Sequence, residues 1–424
     1  MDVRRDVVTR DFASHQFHTA AAVAALFLAP LGIASGEVAF GLLIVVSAAR
    51  ARDLWPVWLD AARSPVIASL VLFVAWMLLS LLWSADPRNG ADRIQCMRAL
   101  LWAPLLCPLL VEARNRTTLL LALLAGTSVL AASQIAEWCH FLLVIVPQSE
   151  EFQRVFSQRR FGGLHGEMGK AGLWSGAGVC IGMFMCMSRR LSQRTRIAVA
   201  CATAVCITGV CVSGTVRTIG GISVGACVSA ICIATATAGR RPMRAAIAVL
   251  TIAALLCMWW ALDRRVERDG ASSIFTMRSV GPRMFWWSAC WHGFEQHPLF
   301  GWGWGSTPAI IADYPHGPAF AAANPAVVDL TPSLLSPSQP HSLYIMVLAE
   351  LGIVGIASLG AVLCVIARVT VRSARLSVAH AGAAAATILW IVSAAGDTVF
   401  NSSVLAAGGI VMALMWPHTQ AEVD

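Results

Sequence analysis

Residues 343–367 read LYIMVLAELGIVGIASLGAVLCVIA, and this stretch decides the fold class of the chain. It contains one charged residue, Glu350, and it exceeds the length of about 20 apolar residues that a helix needs to cross a bilayer. The stretch follows Pro340-His341-Ser342 at the end of a polar interval of 78 residues, 263–340. We therefore predict a membrane-spanning helix that begins where a long loop returns to the bilayer.

The composition extends this prediction to the whole chain. Hydrophobic residues make up 57% of the 424 residues, charged residues make up 13%, and the mean hydropathy is +0.69. Soluble domains carry about 25% charged residues. A single signal peptide would not produce apolar runs that recur to the end of the chain. The sequence predicts an all-α, polytopic integral membrane protein with one domain, residues 1–424.

Twelve apolar runs meet or approach the length of a spanning helix. They lie near residues 17–33, 38–49, 66–84, 94–110, 117–147, 168–188, 197–213, 218–238, 245–262, 343–367, 379–395 and 403–416.

The basic residues predict the orientation of these spans. With a cytoplasmic N-terminus, the cytoplasmic segments hold 18 arginines in 71 residues and the opposite segments hold 11 in 122. Cytoplasmic loops are the ones enriched in Lys and Arg. Both termini are therefore expected in the cytoplasm, and the 263–340 loop is expected on the opposite face of the membrane, which is the periplasm if the cell is Gram-negative. The net charge of +8 follows from this topology.

The long loop has internal signals. Residues 279–296 predict an amphipathic helix, since Pro282 suits a first turn and His297-Pro298 ends the pattern. We expect this helix to lie on or just above the outer leaflet. The GWGWG sequence at 301–305 predicts a tight turn with close backbone approach. The Pro-rich stretch 308–340 is expected to be irregular.

Several chemistries have no signature in the sequence. It contains no HExxH, no CxxC pair and no Walker loop. No basic stretch is interleaved with aromatic residues, so nucleic-acid binding is not expected. Cys290 is the only one of 13 cysteines outside the predicted spans, so no disulfide framework is implied. We predict no metal, no cofactor and no nucleic-acid partner.

Arginines dominate the predicted outer face. The candidates for binding an anion are Arg159, Arg160, Arg217, Arg265 and Arg283. Guanidinium groups grip phosphate oxygens in a bidentate fork, although an interfacial arginine can also serve only as a lipid-headgroup contact. Arg217 favours the functional interpretation, because it sits in a four-residue turn beside a span and a charge there needs a partner.

Other titratable residues stand at the boundaries or inside the predicted spans. His341 could be a general base at neutral pH, or simply a residue that caps a helix or faces water. Glu350 must face the protein interior, so a catalytic role and a structural interhelix pair both remain open. Lys170, Glu167 and His165 cluster at the start of the sixth span, where we expect them to line the same cavity.

Four elements, in their order and spacing, resemble the O-antigen ligase and polymerase superfamily. They are SGTVR at 213–217, RMFW at 283–286, HPLFGWG at 297–303, and HSLY at 341–344 continuing to ELGIVG at 350–355. WSADP at 83–87 and RFGG at 160–163 also look like landmarks of that family, so the resemblance covers roughly residues 80–356.

The resemblance implies a GT-C-like glycosyltransferase whose principal residues are Arg217, Arg283 and His341. Its donor would be a glycan on undecaprenyl diphosphate, and its acceptor would be lipid A–core within the surrounding membrane lipids. Further candidates for binding the diphosphate or the glycan are Arg159, Arg160, Arg265, His165, Lys170 and Glu350. We favour the ligase reaction because about twelve spans and a single long external loop fit it best.

Two kinds of alternative remain open at this point. An O-antigen polymerase or a protein O-oligosaccharyltransferase would use the same donor. A transporter of lipid-linked glycan or solute would instead need coupling groups near the bilayer midplane, where Arg98, Glu137 and Glu350 are the few candidates. Most of the notable polar residues gather at one face, which favours interfacial chemistry.

Overall fold

The computed structural model describes residues 12–111, 113–145, 161–236, 281–323, 340–395 and 402–415. Helices dominate these residues and no strand occurs among them, in agreement with the all-α prediction. The α-helices are Phe12–Leu28, Ile33–Ala49, Ala51–Ala62, Pro65–Ser80, Pro87–Cys96, Trp102–Leu106, Ala113–His140, Met168–Met185, Gln193–Ser213, Val216–Ala236, Gly281–Gln296, Thr307–Ala312, Gly317–Ala323, Leu343–Ala374, Val378–Ser393 and Ser402–Met415.

Several of these helices could cross a bilayer. Within the described ranges, four are long and apolar enough: Pro65–Trp83, Arg114–Leu143, Gln193–Ser213 and Leu343–Ala374. Shorter apolar helices cover Thr218–Ile233, Val378–Ser393 and Ser403–Leu414. The membrane class predicted from composition is therefore present. The total of twelve spans stays a prediction, since the ninth run, 245–262, lies outside the described residues.

One predicted span differs from the structure. The run at 94–110 is not one continuous helix but a chain of short α and 3₁₀ turns. Pro104 and Pro108 explain the interruption, because proline removes a helical hydrogen-bond donor. The segment after residue 50, predicted to connect two spans, is itself helical: the helix Ala51–Ala62 is bent by 105° from the helix before it.

Small residues allow the helices at the centre of the bundle to pack closely. The helix Val378–Ser393 lies against both Val216–Ala236 and Met168–Met185. A Cβ added at Gly225 would come within 2.4 Å of the Ala385 carbonyl oxygen. Glycine and alanine at such contacts allow helix backbones to approach closely, so this packing depends on the absence of larger side chains.

The helix that follows the long loop is broken. Leu343–Ala374, here called the broken helix, has a non-helical backbone at Gly352, with φ 64° and ψ −160°. The segment 298–303 inserts at this point. The Gly303 amide donates to the Glu350 carbonyl at 2.8 Å, and the Ile353 amide donates to the Pro298 carbonyl at 2.9 Å. Loop backbone thus pairs with groups that the break removes from the helical ladder.

The long loop is more regular than expected where it is described. A helix is present at the predicted position, Gly281–Gln296, and is here called the loop helix. The expectation of an irregular chain from residue 308 is wrong for its first part, which forms the short helices Thr307–Ala312 and Gly317–Ala323. The rest of that stretch, 324–339, lies outside the described residues.

Candidate functional site

His341 has an unusual backbone and a specific aromatic neighbour. Its φ of 53° makes it the only non-glycine residue with positive φ among the described residues. The left-handed conformation costs an ordinary L-residue about 1–2 kcal/mol. The imidazole stacks on Trp286 of the loop helix, with ring centroids 5.2 Å apart and planes tilted by 28°. Surrounding contacts therefore hold a strained histidine in one orientation, an arrangement that often marks functional sites.

The loop helix also holds the residue before His341 and carries one of the predicted arginines. The Trp287 indole N–H donates to the Pro340 carbonyl at 3.0 Å. Arg283 lies three residues before Trp286, and residues at this spacing share one helix face. Arg283 is half-buried. A cationic side chain thus leaves the same helix face that stacks on the imidazole.

The loop helix is fixed by its own buried side. Phe285, Trp286 and Cys290 are almost fully buried, and Phe285 packs edge-on against Tyr314 at 5.6 Å between ring centroids. Burial raises the pKa of the Cys290 thiol, so this cysteine behaves as a small apolar side chain. The aromatic residues anchor the helix that positions His341, because each buries a large apolar area.

Glu350 forms a buried ion pair that the sequence reading did not identify. Its carboxylate is 0% exposed and accepts from the Arg93 guanidinium at 2.9 and 3.1 Å. It also accepts from the backbone amides of Gly305 at 3.0 Å and Thr307 at 2.8 Å, and from the Thr307 hydroxyl. Of the two roles left open for Glu350, the structure contains the interhelix pair. A direct contact with substrate would require this pair to open.

Glu350 and Arg93 hold the turn formed by residues 301–305, here called the glycine turn. Gly301, Gly303 and Gly305 all have positive φ. A Cβ at Gly301 would lie 2.4 Å from the Glu350 carbonyl carbon, and one at Gly303 would lie 2.5 Å from the Ser84 Cα. The turn is therefore wedged between the broken helix and the end of the helix Pro65–Ser80, where only glycine fits.

The Ser84 turn completes this clamp. The Ser84 hydroxyl donates to the Trp304 carbonyl at 2.7 Å, and the Asn89 side-chain amide donates to the Gly305 carbonyl at 2.7 Å. The WSADP motif at 83–87 is thus in direct contact with the glycine turn. Together they fix the chain that leads out of the loop helix.

Arg217 lies at the same end of the bundle as His341. It is in the first turn of Val216–Ala236, where Gly221 packs on Leu389 and Gly225 on Ala385. These contacts define an antiparallel register in which residue 217 is level with residue 393. The neighbouring Ala394 carbonyl accepts from the Leu343 amide at 3.0 Å. The backbone of Arg217 is therefore level with the segment that carries His341.

Lys170 lies near the same end of the bundle as Arg217, because its helix begins there. A Cβ at Gly172 would lie 2.3 Å from the Thr215 hydroxyl, so the start of Met168–Met185 touches the turn that precedes Arg217. Lys170 pairs with the Glu167 carboxylate, which is more than half exposed. Basic residues from two helices thus stand near the same bundle end.

His165 occupies a buried contact near Lys170. It is 6% exposed, and its Nε2 lies 2.8 Å from the Ser403 hydroxyl, which also accepts from the Trp174 indole at 3.0 Å. Burial lowers the pKa of His165, the positive charge of Lys170 lowers it further, and Glu167 opposes these effects. His165 is therefore neutral at pH 7 and ties the 161–166 segment to the last helix.

The remaining candidates divide into two groups. Arg159, Arg160 and Arg265 lie outside the described residues. Arg98 and Glu137, considered for a transporter, have local partners: Arg98 pairs with Glu37 at 3.0 Å, and the Glu137 carboxylate accepts from the Gly163 amide at 2.9 Å.

Comparison with known proteins identifies a related family. Residues 169–360 match the family model described as O-antigen ligase. No curated protein matches the chain. The matched region includes Arg217, Arg283 and His341 and leaves out Arg93 and His165. The match indicates a glycosyltransferase-type enzyme of the ligase and polymerase group, which acts on a lipid-linked glycan and a lipid acceptor. Residues 169–360 thus resemble an O-antigen ligase domain, which supports membership of the O-antigen ligase superfamily.

Proposed function

We propose that the protein is an O-antigen ligase that moves a glycan from undecaprenyl diphosphate to lipid A–core oligosaccharide at the periplasmic face of the inner membrane. His341 accepts the proton of the acceptor hydroxyl. The hydroxyl oxygen then bonds to the anomeric carbon from the face opposite the diphosphate. The bond from that carbon to the diphosphate oxygen breaks, its electron pair leaves with undecaprenyl diphosphate, and the anomeric configuration inverts.

The observation that carries this proposal is the contact between His341 and the loop helix. Trp286 stacks on the imidazole, and Trp287 bonds to the carbonyl just before it. The Arg283 side chain projects from the same face of the loop helix as Trp286. A general base and an anion-binding cation are thereby held by one rigid element, as preorganised catalysis requires.

Arg217 supplies a second cation in this proposal. Its helix register sets its backbone level with the segment that follows His341. A leaving diphosphate carries several negative charges, and guanidinium groups bind phosphate oxygens bidentately. Arg159, Arg160 and Arg265, which lie outside the described residues, and Lys170 and His165 are further candidates for binding the diphosphate or the glycan.

The proposed reaction needs no metal. Arginines at the diphosphate would stabilise the charge that develops on the leaving group, as a divalent cation does in other transferases. The proposal therefore expects the rate of glycan transfer to be the same with and without EDTA. A rate that falls with EDTA and returns with Mg²⁺ would contradict the metal-free mechanism.

Reconstitution tests the reaction. Purified protein mixed with lipid-linked glycan and lipid A–core should yield glycosylated lipid A–core and free undecaprenyl diphosphate. A protein acceptor and a second lipid-linked glycan are the matched alternatives. Exclusive use of the protein acceptor would identify a protein O-oligosaccharyltransferase, and exclusive chain extension would identify a polymerase; either result would reject the ligase.

A deletion strain separates ligase from polymerase in the cell. Loss of a ligase should leave polymeric glycan on the lipid carrier. Loss of a polymerase should instead leave core that bears a single repeat unit. Substrate flux across proteoliposomes without any glycosyl transfer would support the transporter class and reject both enzymes.

A further inference from the structure

The chain turns sharply at Arg50, at the end of the bundle opposite His341. The helix Ala51–Ala62, here called the surface helix, is bent by 105° from Ile33–Ala49. The next helix, Pro65–Ser80, runs from this bend toward the glycine turn near the other end. The surface helix therefore connects the ends of two helices in the manner of a helix that lies in the plane of the membrane surface. In the orientation predicted from the arginines, this surface is the cytoplasmic one.

Arg50 is a buried cation at this bend. It is 7% exposed, and its Nη1 lies 3.1 Å from Nδ1 of His18. A guanidinium only donates hydrogen bonds, so His18 Nδ1 is the acceptor and this imidazole is neutral. Within the described ranges, the Arg50 Nε has no hydrogen-bond partner, and no carboxylate pairs with the guanidinium. Because a buried cation without an anion is costly, the bend is suited to an anion from outside the chain.

The surface helix presents an apolar face away from the bundle. Leu54 and Val57 are buried against the protein. Trp55 and Leu59, four residues apart and thus on one helix face, are 58% and 43% exposed. Tryptophan is enriched where hydrocarbon meets headgroups. This face is therefore suited to contact the acyl chains just below the headgroups.

Basic residues border this apolar face. Arg52, Leu59 and Arg63 follow one stripe of the helix, since they are separated by seven and four residues. Both arginines are exposed. Asp53 and Asp60 are exposed as well, but they lie on a neighbouring stripe about 100° away. An apolar face bordered by arginines is the pattern of a helix that binds anionic lipid.

We propose that this bend binds the phosphate group of an anionic phospholipid, with Arg50 and Arg52 as its cationic ligands. Guanidinium groups bind phosphate oxygens in bidentate pairs. Trp55 and Leu59 contact the acyl chains of the same lipid, which a free phosphate ion lacks. A zwitterionic headgroup carries its own cation, which the two arginines repel. The occupant is therefore a lipid such as phosphatidylglycerol, in the leaflet opposite His341.

Thermal unfolding of the purified full chain in detergent measures this binding, because a ligand of the folded state raises the Tm. Dioctanoyl phosphatidylglycerol should raise the Tm of the wild type. Each arginine at an anionic membrane surface strengthens binding about fivefold, so dioctanoyl phosphatidylcholine should show a Kd at least about tenfold higher. Inorganic phosphate at the same concentrations should leave the Tm unchanged.

Variants locate the site. Arg52→Gln removes an exposed cation and should raise the Kd for phosphatidylglycerol about fivefold. Arg50→Gln should raise this Kd at least as much in the fraction that folds. The matched control is Arg194→Gln, which should keep the wild-type Kd, because Arg194 is exposed in the first turn of Gln193–Ser213 at the same end of the bundle.

Three results would overturn the proposal. Equal stabilisation by phosphatidylcholine would show that the bend does not select an anionic headgroup. Equal stabilisation by inorganic phosphate would show that the bend takes a free ion. Equal changes of Kd for Arg52→Gln and Arg194→Gln would show that any surface arginine contributes alike.

Cross-linking to the wild-type protein does not depend on folding of the variants. A phosphatidylglycerol with a photoreactive group on an acyl chain, next to its headgroup, should label residues 50–63. Labelling confined to other parts of the chain would contradict the assignment.

Discussion

Removing the negative charge of Glu350 should destabilise the protein strongly and should do so through Arg93. The two side chains are 0% and 3% exposed. Breaking a buried ion pair by removing one partner costs about 3–5 kcal/mol, since the other charge stays buried without compensation. Glu350→Gln keeps the size and one acceptor oxygen, so we expect a loss near the lower limit. Glu350→Leu also leaves the amides of Gly305 and Thr307 without their acceptor, and we expect a loss near the upper limit.

The double variant tests the cause. Replacing both partners of a buried pair by apolar residues is often neutral, so Arg93→Met combined with Glu350→Leu should be more stable than Glu350→Leu alone. The two orphaned amides would still cost about 1–3 kcal/mol each. Unfolding of purified protein in detergent, followed by tryptophan fluorescence, gives the free energies for this double-mutant cycle.

Additivity would refute the reasoning. If the losses of Arg93→Met and Glu350→Leu simply sum in the double variant, the two groups do not interact and the clamp on the glycine turn is misassigned. Coupling of more than about 1 kcal/mol between the two sites is the expected result.

Three further outcomes follow from other contacts. Gly301→Ala should lower the stability of the protein by at least about 1–2 kcal/mol through the positive φ and by more through the clash of the new Cβ with Glu350, which thermal unfolding would measure. The control is Gly360→Ala, which should be neutral or slightly stabilising because a Cβ there meets nothing within 4 Å. Trp286→Ala truncates a buried tryptophan and should cost about 3–5 kcal/mol of stability, and the folded fraction should show a lower kcat because His341 loses its stacking partner. Trp291→Ala, 54% exposed, should keep wild-type kinetics, and equal effects of the two variants on kcat would contradict the positioning role. Because the pKa of His165 is lowered in the folded protein, the unfolded chain takes up the proton first as the pH falls. The free energy of unfolding should therefore be full above pH about 6.5 and decrease below it. In a thermal-shift series, His165→Gln should lose less stability with falling pH than the wild type does, and an unchanged slope would contradict the assignment.

The elements that depend on local pattern were predictable from the sequence. The loop helix was predicted at 279–296 and forms at Gly281–Gln296, because Pro282 and His297-Pro298 mark both ends. The apolar run at 197–213 ends at Ser213 in the structure, where Gly214 adopts the left-handed conformation that ends helices. These signals lie within a few residues of the feature that they predict.

Features that depend on distant contacts were not predictable. Gly352 resembles Gly355 and Gly360 in the sequence, but only Gly352 meets the inserted segment 298–303 and breaks the helix. Hydropathy alone therefore gave one continuous span at 343–367.

Pairings between residues far apart in the sequence were not predictable for the same reason. A buried glutamate required a partner, but nothing in the sequence singled out Arg93, which lies 257 positions away. The contact of His165 with Ser403 spans 238 positions and has no sequence signal.

The most direct test of the account is glycan transfer by His341→Asn. Asparagine tolerates the left-handed backbone that His341 adopts, so the variant should fold and bind the lipid-linked donor as the wild type does. Its amide cannot accept the proton of the acceptor hydroxyl, and loss of a general base costs about 10²–10⁴ in rate. Single-turnover transfer to lipid A–core should therefore be at least about a hundredfold slower. A folded variant that transfers glycan at the wild-type rate would contradict the central role of His341.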